Sequence, residues 1–594
     1  MDQTYRMKIA NAAVSGELNG WDISFTEEIM EQDCSLLHLE LKNCTAGEPP
    51  EITVSFEVPM LDTQVKWKPR TALLDSHHLQ PEWWTSGREA CAFNRSVPIC
   101  AYQNLAGINT VCIACSETFL PVTMTSGPRE NGQIHTEIKL FREPCGKERT
   151  FHVSFRIDRR RIFYADVLQD VTAWQVEQPG CPSAMYAPAN CRLPVYSTWY
   201  QCQKGVTQQF LETELDRISL CGLDTIIIDD GWQCEGVDGG GLVMTSCGEW
   251  NVYPGKFPDL KMLVDTCHKL GIKVMLWVAL PYIGAEHAEL FEKFSKMSLR
   301  KTPKLLIVDP RYPEVRQYLA ERCASLVREY RLDGLKLDFI DTLFSTAESS
   351  ENERIQGGRD TVSLMDGVKK MLDEVCGGLQ KLNPEIMIEF RQLYTGPGMR
   401  HYANIFRASD CPFDLLQNRV RTIDLRLLSG DAPIHSDMVI WPEWETPETA
   451  ALQILNVLFS TPQISCRLSA LPESHLKMIR FWMDFCKEHR ETLLEGTLHP
   501  EHPELSYPVV TAESRREIIT ALYGKNCMEI RGGKPHYLVN ATHETELFAE
   551  LRKACTVTIC DVFGEETERK RLEAGLHRIS VPLSGMAVFE QCGE

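Results

Sequence analysis

Ile226-Ile227-Ile228-Asp229-Asp230-Gly231-Trp232 is the stretch that decides the architecture. An apolar, β-branched run without polar alternation reads as a strand buried on both faces, as in a parallel sheet. It stops at two carboxylates, a glycine and a tryptophan. Comparable runs flank it, giving the series Val195–Trp199, Thr225–Asp230, Val274–Ala279, Leu305–Val308, Leu335–Asp338, Met387–Arg391, Ile405–Ser409 and Pro433–Val439. Amphipathic segments such as Val206–Leu220, Leu260–Leu270, Pro313–Tyr330 and Thr361–Leu382 lie between them. Strand–helix units repeated in this way predict an α/β fold with a central (β/α)8 TIM barrel. A doubly wound open sheet would ordinarily carry a Gly-rich phosphate turn after an early strand, and none is present.

Outside this region the pattern changes to period-2 alternation, as in Leu37-His38-Leu39-Glu40-Leu41 and Thr150-Phe151-His152-Val153-Ser154-Phe155. The tail repeats it in Glu517–Leu522, Tyr537–Asn540 and Thr556–Asp561. Alternation of this kind predicts antiparallel sheets with one face buried. The expected organisation is an N-terminal β-sandwich at 1-185, the catalytic barrel at 186-492 and a small C-terminal β-sandwich at 493-594.

Composition narrows the function classes. The 594 residues carry 82 acidic against 62 basic side chains, a formal net charge of -20. Such a surface repels a phosphate backbone unless a basic stripe compensates, and the densest basic run is Arg159-Arg160-Arg161. Nucleic acid is therefore not an expected partner. The first 18 residues lack an apolar core of signal-peptide length, and no apolar run approaches the roughly 20 residues a bilayer requires. The expectation is a cytoplasmic enzyme without membrane contact, whose 23 cysteines act mostly as buried free thiols. Cys112-x-x-Cys115 has no second ligand pair beside it and reads as buried strand.

A barrel gathers its chemistry at the C-terminal ends of its strands, and the polar residues at those ends are the candidates here. Asp229 and Asp230 beside Gly231 and Trp232 suggest a polyol clamp: carboxylates accept from sugar hydroxyls and the indole covers an apolar sugar face. A helix cap or a loop ion pair is the plain alternative. In Leu335-Lys336-Leu337-Asp338 the side chains of Lys336 and Asp338 share a face. They form either a structural ion pair or a carboxylate kept ionised for nucleophilic attack. In Ile405-Phe406-Arg407-Ala408-Ser409-Asp410, Asp410 supplies a second carboxylate; Asp414 is a further candidate for sugar contact, and it competes for the cap of the next helix. Two such groups across a barrel mouth meet the requirement of glycoside hydrolysis. Trp199, Trp277, Asp309-Pro310-Arg311, Glu389 with Arg391, Arg407, and His435 with Asp437 complete the candidates; core packing or structural ion pairs compete for several of them.

In order and spacing these strand ends resemble the α-galactosidases and raffinose synthases of glycoside hydrolase family 36, over about residues 190 to 490. The resemblance implies that Asp338 is the nucleophile and Asp410 the acid/base of a retaining exo-α-glycosidase, an α-galactosidase by default. It implies that Asp229, Asp230 and Lys336 hold the non-reducing sugar and that no metal or organic cofactor is needed. Two departures stand out. Family members end the strand carrying Glu389 in Glu-x-Cys with small residues, where this chain has Glu389-Phe390-Arg391-Gln392. The usual Glu-Pro-Glu stretch is replaced by Trp277-Val278-Ala279-Leu280-Pro281. A cation at 391 predicts contact with a charged or altered 2-substituent. The alternatives are an α-glycosidase for another sugar (α-N-acetylgalactosaminide, α-glucoside or a charged sugar), a transglycosylase, or a catalytically inactive carbohydrate-binding protein. A metal-dependent hydrolase ranks low, because only His435 of 16 histidines falls near a strand end. The expected partner is an oligosaccharide or glycoside substrate, and a homo-oligomer is compatible with the family's layout.

Overall fold

A computed structural model describes residues 2–6, 10–69, 77–84, 89–236, 244–345, 357–391 and 396–590; Gln392 lies outside them. Eight parallel strands close a barrel in chain order. They are β1 (Val195–Ser197), β2 (Thr225–Ile228), β3 (Lys273–Ala279), β4 (Gly334–Asp338), β5 (Met387–Phe390), β6 (Ile405–Arg407), β7 (Ile434–Val439) and β8 (Thr461–Ile464). Every residue of β2, β4 and β7 is buried, as continuous apolar runs require. Val195, Ile227, Met275, Met387 and Ile405 of the barrel strands form one apolar cluster with Cys191.

Several assignments made from the sequence are corrected. Leu305–Val308 is not a barrel strand; it is the middle strand of a three-stranded antiparallel sheet with Tyr282–Gly284 and Ser298–Lys301. This sheet is an excursion between β3 and β4, so Asp338 ends the fourth strand. The true eighth strand is Thr461–Ile464. Its Pro462 and its mere four residues disguised it, since proline is ordinarily foreign to an interior strand. Asp309 and Arg311 belong to the excursion, where they pair with each other at 3.0 Å, buried, as structural ions. Trp199 does not end β1, which stops at Ser197; it opens the short helix Trp199–Cys202.

The N-terminal region forms two six-stranded sheets facing each other across Trp21, Leu39, Phe56, Ile113 and Phe155. Cys112 and Cys115 lie buried in its strand Asn109–Cys115, and the cysteines among the described residues are free thiols. Beyond the barrel, strands from Thr497–Glu501 to Met586–Glu590 build a seven-stranded and a three-stranded sheet over Val509, Leu538, Val557 and Phe589. The N-terminal sandwich reaches the barrel mouth directly. Asn94 Nδ2 donates to the carbonyls of Ile340 and Leu343, at 2.7 and 2.9 Å, on the loop that follows β4. No helix among the described residues is long and apolar enough to cross a membrane.

Candidate active site

Asp338 is the last residue of β4 and is 5% exposed. One of its oxygens, Oδ2, accepts from Trp277 Nε1 of β3 at 2.9 Å. The other, Oδ1, accepts from its neighbour's backbone, Phe339 N, at 2.7 Å and from Arg391 Nε at 2.8 Å. Burial alone would raise this carboxyl's pKa, but Arg391, Lys336 and the indole N–H outweigh it and hold Asp338 below the usual carboxylate range. The turn after it is forced: Phe339 adopts φ +65°, a left-handed conformation costly for a bulky side chain. That turn lays the Phe339 ring on Tyr282, with centroids 4.7 Å apart, and under Arg391 at 4.8 Å.

Lys336 does not pair directly with Asp338. Its Nζ donates to Asp229 Oδ2 of the β2 end at 2.6 Å, with both side chains almost fully buried. Asp229 Oδ1 accepts from Asp230 N at 2.9 Å, and Asp230 Oδ1 accepts from Gln233 Nε2 at 2.7 Å. Lys204 stands 3.5 Å from Asp230. Burial raises the pKa of Asp230, opposed by Lys204 and Gln233. Gly231 is obligatory in this turn. It has φ +118°, and a Cβ there would lie 2.6 Å from Lys204 Cα.

Asp410 follows β6 by three residues, and its side chain is 45% exposed, facing the mouth more openly than Asp338. Its Oδ1 accepts from Arg407 Nη2 at 2.8 Å. Arg421 Nη1 fixes the backbone by donating to the carbonyls of Ser409 and Asp410 at 2.9 and 2.8 Å. Against the upward push of burial, Arg407, Arg391 and Lys336 hold Asp410 well below the usual range. The neighbouring cations thus favour the ionised form of both carboxylates, one at the end of β4 and the other three residues beyond β6.

Arg407 is the hub beneath Asp410. It is 1% exposed and also pairs with Asp437 and, at 3.7 Å, with Glu389. Asp437 Oδ2 in turn accepts from Tyr200 Oη at 2.5 Å and Cys411 N at 2.6 Å. Glu389 is fully buried; its Oε2 accepts from Gln463 Nε2 at 2.7 Å and lies 3.3 Å from His435 Nδ1. The other His435 nitrogen faces the Cys191 carbonyl at 2.8 Å.

Several proposed sugar contacts are thus reassigned. Glu389 and Arg407 are inner structural ions that steer Asp410, and Glu389 does not pair with Arg391. Trp232 is 0% exposed, its Nε1 donating to the Trp277 carbonyl at 3.0 Å, so it cannot cover a sugar face. Trp277 orients Asp338 from below. Asp414 is exposed and caps the helix Leu415–Leu428 by accepting from Gln417 N at 2.9 Å. Trp199, partly buried, lies at a helix start beside Tyr200. Sequence reading missed Gln463, on the unrecognised β8, and Tyr200, Arg421 and Asn94, which carry no motif and act through position alone. Among the described residues no cluster of His, Cys, Asp and Glu could hold a metal ion.

No family model matches the chain. It is 24% identical over 160 residues to α-galactosidase Mel36A of Lactobacillus acidophilus, covering 26% of this chain and 21% of that protein. It is 23% identical over 209 residues to glycosyl hydrolase DigH of Escherichia coli, covering 30% and 46%. The matched segments thus span less than half the length of these curated relatives. Solved structures match nearly the whole chain. The α-galactosidase from Lactobacillus brevis superposes with a TM-score of 0.64 at 13% identity, covering 99% of this chain and 85% of that one. The family 36 α-galactosidase AgaA of Geobacillus stearothermophilus gives 0.65 at 12% identity, covering 99% and 86%. An α-galactosidase from Thermus thermophilus, in complex with stachyose, gives 0.53 at 14% identity, covering 81% and 99%.

Proposed function

We propose that this chain, which has the fold of the family 36 α-galactosidases, is a retaining exo-α-glycosidase with α-galactosides as its default substrates. The observation that carries the proposal is the pair of carboxylates at the mouth. Asp338 is buried and oriented by Trp277, and Asp410 is more open, on the strand next but one. In the double displacement the Asp338 carboxylate attacks the anomeric carbon while Asp410, in its protonated form, gives its proton to the departing oxygen; the Asp410 carboxylate so formed then deprotonates the water that releases the sugar. Asp229, Asp230 and Lys336 present acceptors and a cation to the sugar hydroxyls. The AgaA variants solved with raffinose and stachyose make oligosaccharides the natural first substrates to try.

The test is turnover of p-nitrophenyl α- and β-glycosides of galactose, N-acetylgalactosamine, glucose and uronic acids, with Asp338→Ala as control. The proposal expects one α-glycoside to be cleaved and the activity to vanish in the variant. Cleavage that survives Asp338→Ala would sink it.

A further inference from the structure

A cavity of about 550 Å³ lies outside the barrel, where the C-terminal sheets meet a turn of the N-terminal sandwich. Its floor is one face of the seven-stranded sheet. Thr497–Glu501, Val509–Glu513, Ile518–Leu522 and His536–Asn540 are neighbours there. His499 stands opposite Thr511, Thr511 opposite Thr520, and Ile518 opposite His536. Residues two apart on a strand share a face, which brings Glu501 and Glu513 to the same side.

Thr511 Oγ1 and Thr520 Oγ1 are 2.9 Å apart, and Thr520 Oγ1 is 2.9 Å from His536 Nε2. This row of two hydroxyls and an imidazole crosses three adjacent strands and ends at His536, which is 3% exposed. The second ring nitrogen, Nδ1, is buried and has no hydrogen-bond partner among the described residues. Burial pushes the imidazole down to about 4, so the floor is neutral near pH 7. A buried polar atom without a partner is costly and uncommon in a folded protein.

One wall is apolar and fixed in place. The Phe163 ring faces the His499 ring, with centroids 5.6 Å apart. Gly107, at φ +74°, presses on Phe163: a Cβ there would lie 2.7 Å from its Cε2. Asn104 Oδ1 holds that turn by accepting from Ala106 N and Ile108 N, each at 3.0 Å. The rim carries the charges. Glu513 pairs with Lys534 at 2.6 Å and Glu529 with Arg552 at 2.7 Å. The side chains of Glu501 and Arg531 make no hydrogen bond or ion pair among the described residues. They are one anion and one cation, so the cavity presents no net charge beyond its ion pairs.

We infer that this cavity is a binding site for a neutral saccharide unit, separate from the barrel mouth. A sugar carries the matching chemistry. Its hydroxyls donate and accept, as the threonine–histidine floor requires. A vicinal pair of them suits the two oxygens of Glu501 or the fork of Arg531. Its apolar ring face suits Phe163. The volume falls within the roughly 300–1,000 Å³ of small-molecule sites. A zwitterionic amino acid would meet Glu501 and Arg531 at the rim and leave the neutral floor unmatched. The inference does not rest on the glycosidase reading.

The experiment titrates the full chain calorimetrically with galactose, N-acetylgalactosamine, glucose, raffinose and, as the zwitterionic probe, glutamine. Hydrogen exchange read by mass spectrometry locates the binding. One sugar is expected to protect the strands Thr497–Glu501, Val509–Glu513 and Ile518–Leu522, and to do so equally in Asp338→Ala, whose change lies in the mouth. Glu501→Ala and His499→Ala, both at partly exposed positions, should weaken that binding by about tenfold or more, the worth of one charge-assisted contact. Both should keep the native melting temperature and the native kcat/KM on a p-nitrophenyl α-glycoside. Calorimetry and exchange read the site whether or not the chain turns over a glycoside. Three results overturn the inference: no protection of these strands by any sugar, protection unmoved by both variants, or glutamine bound there more tightly than every sugar.

Discussion

At the residue scale the site is a set of charges whose neighbours decide their work. Asp338 is ionised because Arg391 and Lys336 overcome its burial. Removing the Arg391 charge must let its pKa rise, so the ionised fraction at a given pH falls. The acidic limb of kcat/KM in Arg391→Gln should therefore move toward neutral pH, which a pH–rate profile on the preferred glycoside would read; an unmoved limb would refute the assignment. Asp338→Ala should cost roughly 10³-fold or more in kcat, as loss of a nucleophile does. Lys336 has a different role. Its ion pair with Asp229 is buried on both sides, so Lys336→Met strands a carboxylate in the barrel. It should lose about 3–5 kcal/mol in denaturant unfolding. The sequence exposed Asp229, Asp338 and Asp410 because carboxylates at apolar strand ends are conspicuous. It misjudged Trp232 and Glu389, because a strand-end position does not tell a side chain at the mouth from one packed beneath it.

At the element scale the continuous apolar runs were legible, and so was their closure into a barrel. Leu305–Val308 has the same apolar texture as a barrel strand, yet it pairs antiparallel within an excursion. Texture reports burial, and partners are set by contacts distant in sequence. Thr461–Ile464 escaped notice for the opposite reason, with a proline in a run of four. With it went Gln463, the residue that ties β8 to Glu389. Asp414 follows the acid/base candidate and so reads as a sugar contact, yet it accepts the Gln417 N–H as a helix cap. Asp414→Ala should lower stability by about 1 kcal/mol with kcat/KM unchanged; a drop in kcat/KM at equal stability would return it to the substrate.

At the scale of the whole molecule, the flanking sheets and the barrel share one buried core that includes Trp67, Phe93, Tyr402 and Tyr507. Asn94 carries two hydrogen bonds from the N-terminal sandwich to the loop that follows the nucleophile. That junction could not be read from sequence, since one asparagine in a turn has no distinguishing pattern. The C-terminal sandwich carries its own acid sensitivity. Burial pushes His536 from its ordinary 6.5 down to about 4, while its Nε2 bonds Thr520 Oγ1 at 2.9 Å. The unfolded chain takes up that proton below 6.5 and the folded one does not. Stability is thus full above about pH 6.5 and falls toward pH 4, by about 3 kcal/mol. Urea unfolding across that window, compared with His536→Gln, should show the slope reduced in the variant. The central claim, that Asp338 forms a glycosyl ester, is met most directly by trapping it. The native enzyme would be incubated with 5-fluoro-α-galactosyl fluoride and its uronic acid counterpart, digested, and mapped by mass spectrometry. The account predicts one added glycosyl group on the peptide bearing Asp338 with at least one reagent. An unmodified chain with both, or a label on another carboxylate, would contradict it.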